Sequence, residues 1–373
     1  MSKSMDVWES ELASKAPETQ RAYKRYFDRF LERWTLDPDE LYDGRLKDLS
    51  SSDPRDHKKV ERMVTSQMAE MKRSGLVFST CRMLNKAVSS FFEAQGLDLR
   101  VRAKDKPKGE AIGKRMITPE EMRTLWDDPG MFRLRNRASL TFGKDAGLRV
   151  GDMANMDVGH YMEAETKQNL DGEPFKVFKP YETLKEGIIA YIRIGPEAVE
   201  AIDAYLEYRR GRGETLRKGA PLFAVGLCGQ PASANLNPVR RFTPELLSQF
   251  FQRWRTRCGL STEVSAHSLR KFHLTMLQSG GIPDTWISKL QGKSTKTAFG
   301  VYSRPEELPG ELTRAYMRAY DKLRIFGKAE SEALEDLRLR NEELSRGLEE
   351  RDQRLSQVES QVAQVVKLLD RLK

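Results

Sequence analysis

The sequence predicts a mainly α protein of α+β character: a helical N-terminal domain, a mixed domain of helices with a small antiparallel sheet, and a C-terminal coiled-coil helix. Three observations carry that reading. Apolar residues recur at helical spacing near the N-terminus, a stretch between Met156 and Ile194 turns to β-branched and aromatic runs, and a heptad repeat fills the last residues. At 373 residues the chain has room for two or three domains.

From Thr19 to Trp34, TQRAYKRYFDRFLERW sets Tyr23, Phe27, Phe30, Leu31 and Trp34 along one helical stripe with Arg and Lys between them. A second stripe, Met83, Leu84, Val88, Phe91 and Phe92, lies in Thr80–Phe92. Residues 1–103 therefore read as an all-helical domain. The charged segment KDKPKGEAIGK, Lys104–Lys114, lacks apolar periodicity, so 104–116 reads as a linker.

Structure resumes at Thr118, where TPEEM offers an N-cap threonine, proline at the first helical position and glutamate at the third. A further helix is expected around Arg135–Asp145. FKVF (Phe175–Phe178) and IIAYIRI (Ile188–Ile194) read as strands with KEG, Lys185–Gly187, as the turn between them, and Ala164–Glu173 reads as an insertion. Helices follow at Pro196–Arg210, Pro244–Cys258 and His267–Gly280, the last closed by Gly280-Gly281. The mixed domain spans 117–327.

Over residues 328–373, Leu334, Asn341, Leu348, Leu355, Val362 and Leu369 fall at heptad position a, and Leu337, Leu344, Arg351, Val358, Val365 and Leu372 at d. Ten of these twelve positions are aliphatic, which predicts a coiled coil. Asn341 at an a position favours a parallel dimeric register, whereas folding back on the protein's own surface would make it incidental.

The chain carries 64 Lys+Arg against 55 Asp+Glu, a net charge of +9 and a pI near 9.3, which favours a polyanionic partner. The excess is uneven: 24 basic and 19 acidic groups in residues 1–116, 31 and 25 in 117–327, but 9 and 11 in 328–373. Contact with a polyanion is expected in the first two segments. Three unpaired cysteines, Cys81, Cys228 and Cys258, indicate neither a disulfide framework nor a thiolate metal site and suit a reducing compartment. His57, His160 and His273 show no metal-ligand spacing. With neither a signal-peptide core nor a membrane-length apolar run, a soluble cytoplasmic or otherwise intracellular protein is expected, at the nucleoid or, in a eukaryote, the nucleus.

The block AHSLRKFHLTMLQSGGIPDTWISKLQGKSTKTAFGVY, Ala266–Tyr302, resembles the tyrosine recombinase (phage integrase) family. His267 and Arg270 match its His-x-x-Arg pair, Gly292–Lys293 its Gly-His or Gly-Trp motif, and Tyr302 its nucleophile. Upstream, AGLRVGDM at Ala146–Met153 looks like the first arginine motif, with Arg149 followed by Asp152, and ITPEEMRTLW at Ile117–Trp126 resembles the start of the catalytic domain. The resemblance covers about residues 15–305. It implies that residues 1–103 are a core-binding domain that clamps DNA, and that 117–327 are the catalytic domain.

Arg149 and Arg270 are then expected to clamp a phosphodiester, since a guanidinium stays charged and donates paired hydrogen bonds to phosphate oxygens. The resemblance makes Tyr302 the attacking group, forming a 3′-phosphotyrosyl bond that conserves bond energy, so that neither metal nor other cofactor is implied. It assigns protonation of the leaving oxygen to a hairpin lysine. Lys185 suits that position, with Lys176 and Lys179 as competitors. His267 would exchange protons or bind phosphate, and Asp152 either orients a basic side chain or caps its helix. Lys293 departs from the family's His or Trp: it can donate as a cation but cannot stack or act as a neutral imidazole.

The resemblance thus implies a site-specific DNA recombinase or integrase, working as a homotetramer on two DNA duplexes with the coiled coil adding contacts between protomers. Two other readings stay open. One is a catalytically silent DNA-binding or architectural protein; the other is the same chemistry in a telomere resolvase or type IB topoisomerase.

Overall fold

In the computed structural model, residues 2–108, 115–130, 132–225, 240–294 and 304–327 are described, together with four positions in the tail. The chain divides into two compact units, Met1–Gly113 and Lys114–Lys373. Among the described residues no helix is long and apolar enough to cross a membrane.

The first unit is helical throughout: α1 (Lys3–Leu12), α2 (Pro17–Trp34), α3 (Pro38–Ser50), α4 (Lys59–Arg73) and α5 (Phe78–Ala94). The two stripes read from the sequence are α2 and α5, which pack on each other. Trp8 of α1 lies 4.7 Å from Phe27, and Phe27 stacks on Phe91 at 4.4 Å, all three being fully buried. Such aromatic burial supplies most of what a small helical unit needs to hold together. On the outer face Arg25 and Arg29 both lie over the Tyr26 ring, so a basic face sits directly on the aromatic core.

The second unit begins with α6 (Pro119–Trp126), and its capping box forms as expected: Glu121 N–H donates to the Thr118 hydroxyl and Thr118 N–H to the Glu121 carboxylate. α7 (Arg133–Ala146) is buried nearly all round and contributes to both apolar clusters of the unit. α8 (Val150–Ala154) and α9 (Val158–Met162) lead to the sheet, and α10 (Pro196–Gly211), α11 (Pro244–Arg257), α12 (Ala266–Ser279), α13 (Asp284–Gln291) and α14 (Pro309–Ala319) complete the unit.

The segment Ala164–Glu173, read from the sequence as an insertion, supplies a strand: β1 (Glu165–Gln168) pairs antiparallel with β2 (Pro174–Val177). The sheet corrects one expectation, because Ile188–Ile194 is not a single strand opposite FKVF. β2 pairs with β5 (Arg193–Ile194), whereas β3 (Tyr181–Glu182) pairs with β4 (Ile189–Ala190), and the register shifts by one residue between them. Pro180 supplies the physical reason, because it has no N–H for the ladder. The KEG turn therefore joins β3 to β4.

The chain following α14 is built into the unit by buried charge. Lys144 Nζ contacts Asp145 Oδ1 at 2.6 Å and Glu197 Oε2 at 2.9 Å. Glu197 accepts from the backbone N–H groups of Ile325 and Phe326, and Asp145 from the Tyr320 hydroxyl at 3.1 Å. Ions this deeply buried are tolerable only with such full partnering. A 2-stranded ladder of β6 (Ala224–Val225) with β7 (Arg240–Arg241) lies on either side of residues 226–239. The coiled-coil expectation for 328–373 falls outside the described residues except at Arg340, Leu344, Arg351 and Arg354, which are helical and exposed.

Candidate active site

Three chain segments meet at the C-terminal end of α13. Gly292 takes a left-handed conformation there (φ 60°), and Lys293 N–H returns to the Ser288 carbonyl at 2.8 Å, closing the helix. That geometry directs two successive carbonyls, of Gln291 and Gly292, toward the neighbouring arginines. Arg270 Nη1 donates to Gln291 O at 3.0 Å and to Gly147 O at 2.9 Å. Arg149 Nη1 donates to Gly292 O at 3.2 Å.

Arg270 is buried on α12, and Gln291 Nε2 donates to its carbonyl at 3.1 Å while contacting His273 Nδ1 at 3.0 Å. Gly147, the left-handed residue ending α7 (φ 59°), is crowded against that histidine: a Cβ there would lie 2.6 Å from the ring. Burial, then the Arg149 charge, brings the Arg270 pKa down to about 10. The guanidinium is still cationic at neutral pH, and an incoming anion would relieve the repulsion.

Arg149 precedes α8 and is more accessible, its side chain 21% exposed. Its Nη2 pairs with the Glu186 carboxylate. Asp152, the third residue of α8, takes the backbone N–H of Arg149 at the start of that helix. It is buried and accepts the Leu184 N–H at 2.8 Å, fastening the β3–β4 turn. Desolvation raises its pKa, opposed by that hydrogen bond and by Arg149 and Arg270.

The same turn carries Lys185. Thr183 closes it from within, accepting the Ile188 N–H and Gly187 N–H while bonding Ile188 O, and it rests on Gly292, where a Cβ would lie 2.4 Å from Thr183 Cγ2. The competing lysines are engaged in the sheet: Lys176 contacts the Thr166 hydroxyl and the Tyr161 ring, and Lys179 pairs with Glu163 at 2.8 Å. Lys185 is exposed at the turn and makes no ion pair among the described residues.

His267, exposed in the first turn of α12, has its pKa lowered by partial desolvation and then by Arg270, Lys271 and Arg149. A depressed pKa keeps the imidazole neutral near neutral pH, the form that accepts a proton. Lys293 is exposed one residue beyond the carbonyl that Arg149 holds. Tyr302 lies outside the described residues.

The phage integrase family model matches residues 115–307, more than half of the chain. This chain belongs to that family. The tyrosine recombinase XerD of Mycobacterium leprae (strain TN) is 27% identical over 227 residues, 58% of this chain but only 66% of that protein. XerA of Thermococcus onnurineus (strain NA1) is 22% identical over 297 residues, 79% of this chain and 87% of its own. Among solved structures, a lambda integrase tetramer bound to a Holliday junction aligns with a TM-score of 0.52 at 18% identity, over 80% of this chain and 76% of that one. A lambda integrase dimer bound to a COC' core site aligns with a TM-score of 0.53 at 18% identity, over 83% and 93%. These likenesses show a common fold.

Gln291, Gly147 and Glu186 complete the arrangement without a signal of their own in the sequence, because a carbonyl that receives a guanidinium leaves no mark there. Glu186 was legible only as a turn residue.

Proposed function

We propose that this integrase-family protein cleaves and rejoins DNA through a covalent 3′-phosphotyrosyl intermediate at Tyr302. The observation that carries this reading is the convergence of Arg149 and Arg270 on adjacent carbonyls, one guanidinium accessible and the other buried, beside a turn that carries Lys185. Two such cations suit a phosphodiester that gains negative charge as it is attacked. Lys185 is the proton donor to the leaving 5′ oxygen, His267 the proton acceptor, and Lys293 a further phosphate ligand.

In this reading the helical first unit is the core-binding domain, duplex DNA is the partner, and residues 328–373 join protomers through a coiled coil. The tetrameric state seen for the lambda integrase neighbour is the proposed working assembly. Removing Lys328–Lys373 is expected to reduce oligomer size by light scattering while leaving DNA cleavage largely in place; unchanged oligomer size would contradict the role given to the tail.

The reading is tested with a library of randomised duplexes carrying a central nick, from which covalent adducts are recovered under denaturing conditions and their DNA ends sequenced. A recurrent end attached to wild type but absent with Tyr302→Phe is expected. DNA binding without any adduct would favour the silent binder, the alternative that Lys293 supports, and product topology separates strand exchange from relaxation.

A further inference from the structure

Two carboxylates face the two arginines, and they differ in kind. Asp152 is buried and committed to the Leu184 N–H, so it belongs permanently to the scaffold. Glu186 reaches Arg149 from an exposed turn, with a third of its side chain accessible (33%), and its charge is also felt by Arg270. The turn itself is held by Thr183 and Asp152 and seated on Gly292, so its tip is presented in a defined position. Arg149 meanwhile keeps its other terminal nitrogen on Gly292 O.

We propose that Glu186 is an internal stand-in for the scissile phosphate: it occupies the Arg149 guanidinium in the DNA-free protein and is displaced when that phosphate arrives. The inference rests on the function proposed above. A carboxylate and a phosphate oxygen compete for the same charged donor, Arg149 Nη2, which cannot serve both at full strength. Because the Gly292 contact uses Nη1, the exchange takes place at Nη2 while the side chain stays aimed. Glu186 would then make occupancy of the clamp conditional: a phosphate held by the rest of the DNA-binding surface outcompetes it, and a stray one does not. Nothing in the chemistry of strand transfer requires an acid at this position, which makes Glu186 a positioning residue acting through Arg149 rather than a catalytic one.

The test uses the full-length protein and the duplex recovered by covalent trapping, prepared with either the ordinary phosphate or a neutral methylphosphonate at the scissile linkage. Glu186→Gln is expected to tighten binding of the phosphate duplex by about five-fold, the scale of a partly exposed ion pair, and to leave methylphosphonate binding nearly unchanged. Glu182→Gln removes the same charge from the same hairpin without touching Arg149 and should show no such discrimination. Equal gains on both duplexes, or an equal phosphate-selective gain from Glu182→Gln, would reduce Glu186 to background charge and overturn the proposal. So would the absence of any gain in a Glu186→Gln protein that unfolds like wild type. Failure of wild type and Glu186→Gln alike to form an adduct in the trapping experiment would instead remove the recombinase reading itself, and this inference with it.

Discussion

Arg270 and Arg149 donate to consecutive carbonyls at the end of α13, yet one is part of the core and the other stands at its edge. Arg270 is enclosed, satisfied by Gln291 O and Gly147 O, and backed by Gln291 and His273. Arg149 has a single carbonyl partner and a carboxylate that solvent can reach. Under the proposed function the difference gives the two arginines unlike parts: the enclosed one would define where an anion sits, and the accessible one would answer to its presence.

The sharpest way to separate the two is by stability. Arg270→Ala is expected to lower unfolding free energy by about 2–5 kcal/mol, because it strands two buried carbonyls. It should also abolish cleavage. Arg149→Ala should abolish cleavage too, but cost about 1 kcal/mol or less, as an accessible ion pair does. Urea unfolding of both variants reads the difference, and equal losses would erase the distinction between the two sides.

Gly292→Ala comes next. Its Cβ would meet Thr183 Cγ2 at 2.4 Å and Ala190 Cβ at 2.9 Å, at a φ that side chains rarely adopt, so a loss of about 1–3 kcal/mol is expected. Since the clash pushes on the turn carrying Lys185, single-turnover cleavage should fall more than DNA affinity; an unaffected rate would show that the hairpin does not need this seat.

The scaffold behind Arg270 should also respond to pH. His273 is fully buried, and desolvation, then Arg270 and Lys144, hold its pKa down to about 3. The folded state therefore refuses a proton that the unfolded chain accepts as pH falls below about 6.5. Stability is present in full above that pH and drains away as pH falls through the window down to about 3, at about 1.4 kcal/mol per pH unit. Relative to His273→Gln, wild type should lose about 2 kcal/mol between pH 6.5 and 5; parallel curves for the two proteins would show that His273 is not held neutral.

The smallest effect belongs to Asp152. Asp152→Asn keeps an acceptor for the Leu184 N–H and should cost about 1 kcal/mol or less, whereas Asp152→Ala leaves that donor without its partner and costs more. Indistinguishable melting curves would deny the carboxylate its role in fastening the turn.

The elements most legible in the sequence are those fixed by local periodicity. Phe27, Phe30, Phe91 and Phe92 mark the faces that meet in the first unit, and Thr118 and Glu121 mark a helix start that the structure reproduces. The sheet was less legible because its strands are only 2–4 residues long, and because Pro180 interrupts a ladder that the β-branched run of Ile188–Ile194 suggested was continuous. In the candidate site, Arg149, His267 and Arg270 were singled out only by the resemblance of their motifs to the family's, each motif lying within a helix or at its start. What surrounds them was not, because carbonyls at Gly147, Gln291 and Gly292 acquire direction only when three helices meet. The Asp152 contact with Leu184 and the Glu186 contact with Arg149 likewise link elements more than thirty residues apart.

The central claim is that this cationic pocket serves attack on phosphorus by one tyrosine. After reaction with the nicked duplex and digestion by nuclease and protease, mass spectrometry of the adduct should find a nucleotide remnant on the peptide containing Tyr302, attached at that side chain. A remnant attached to any other residue, or its persistence in Tyr302→Phe, would contradict the account.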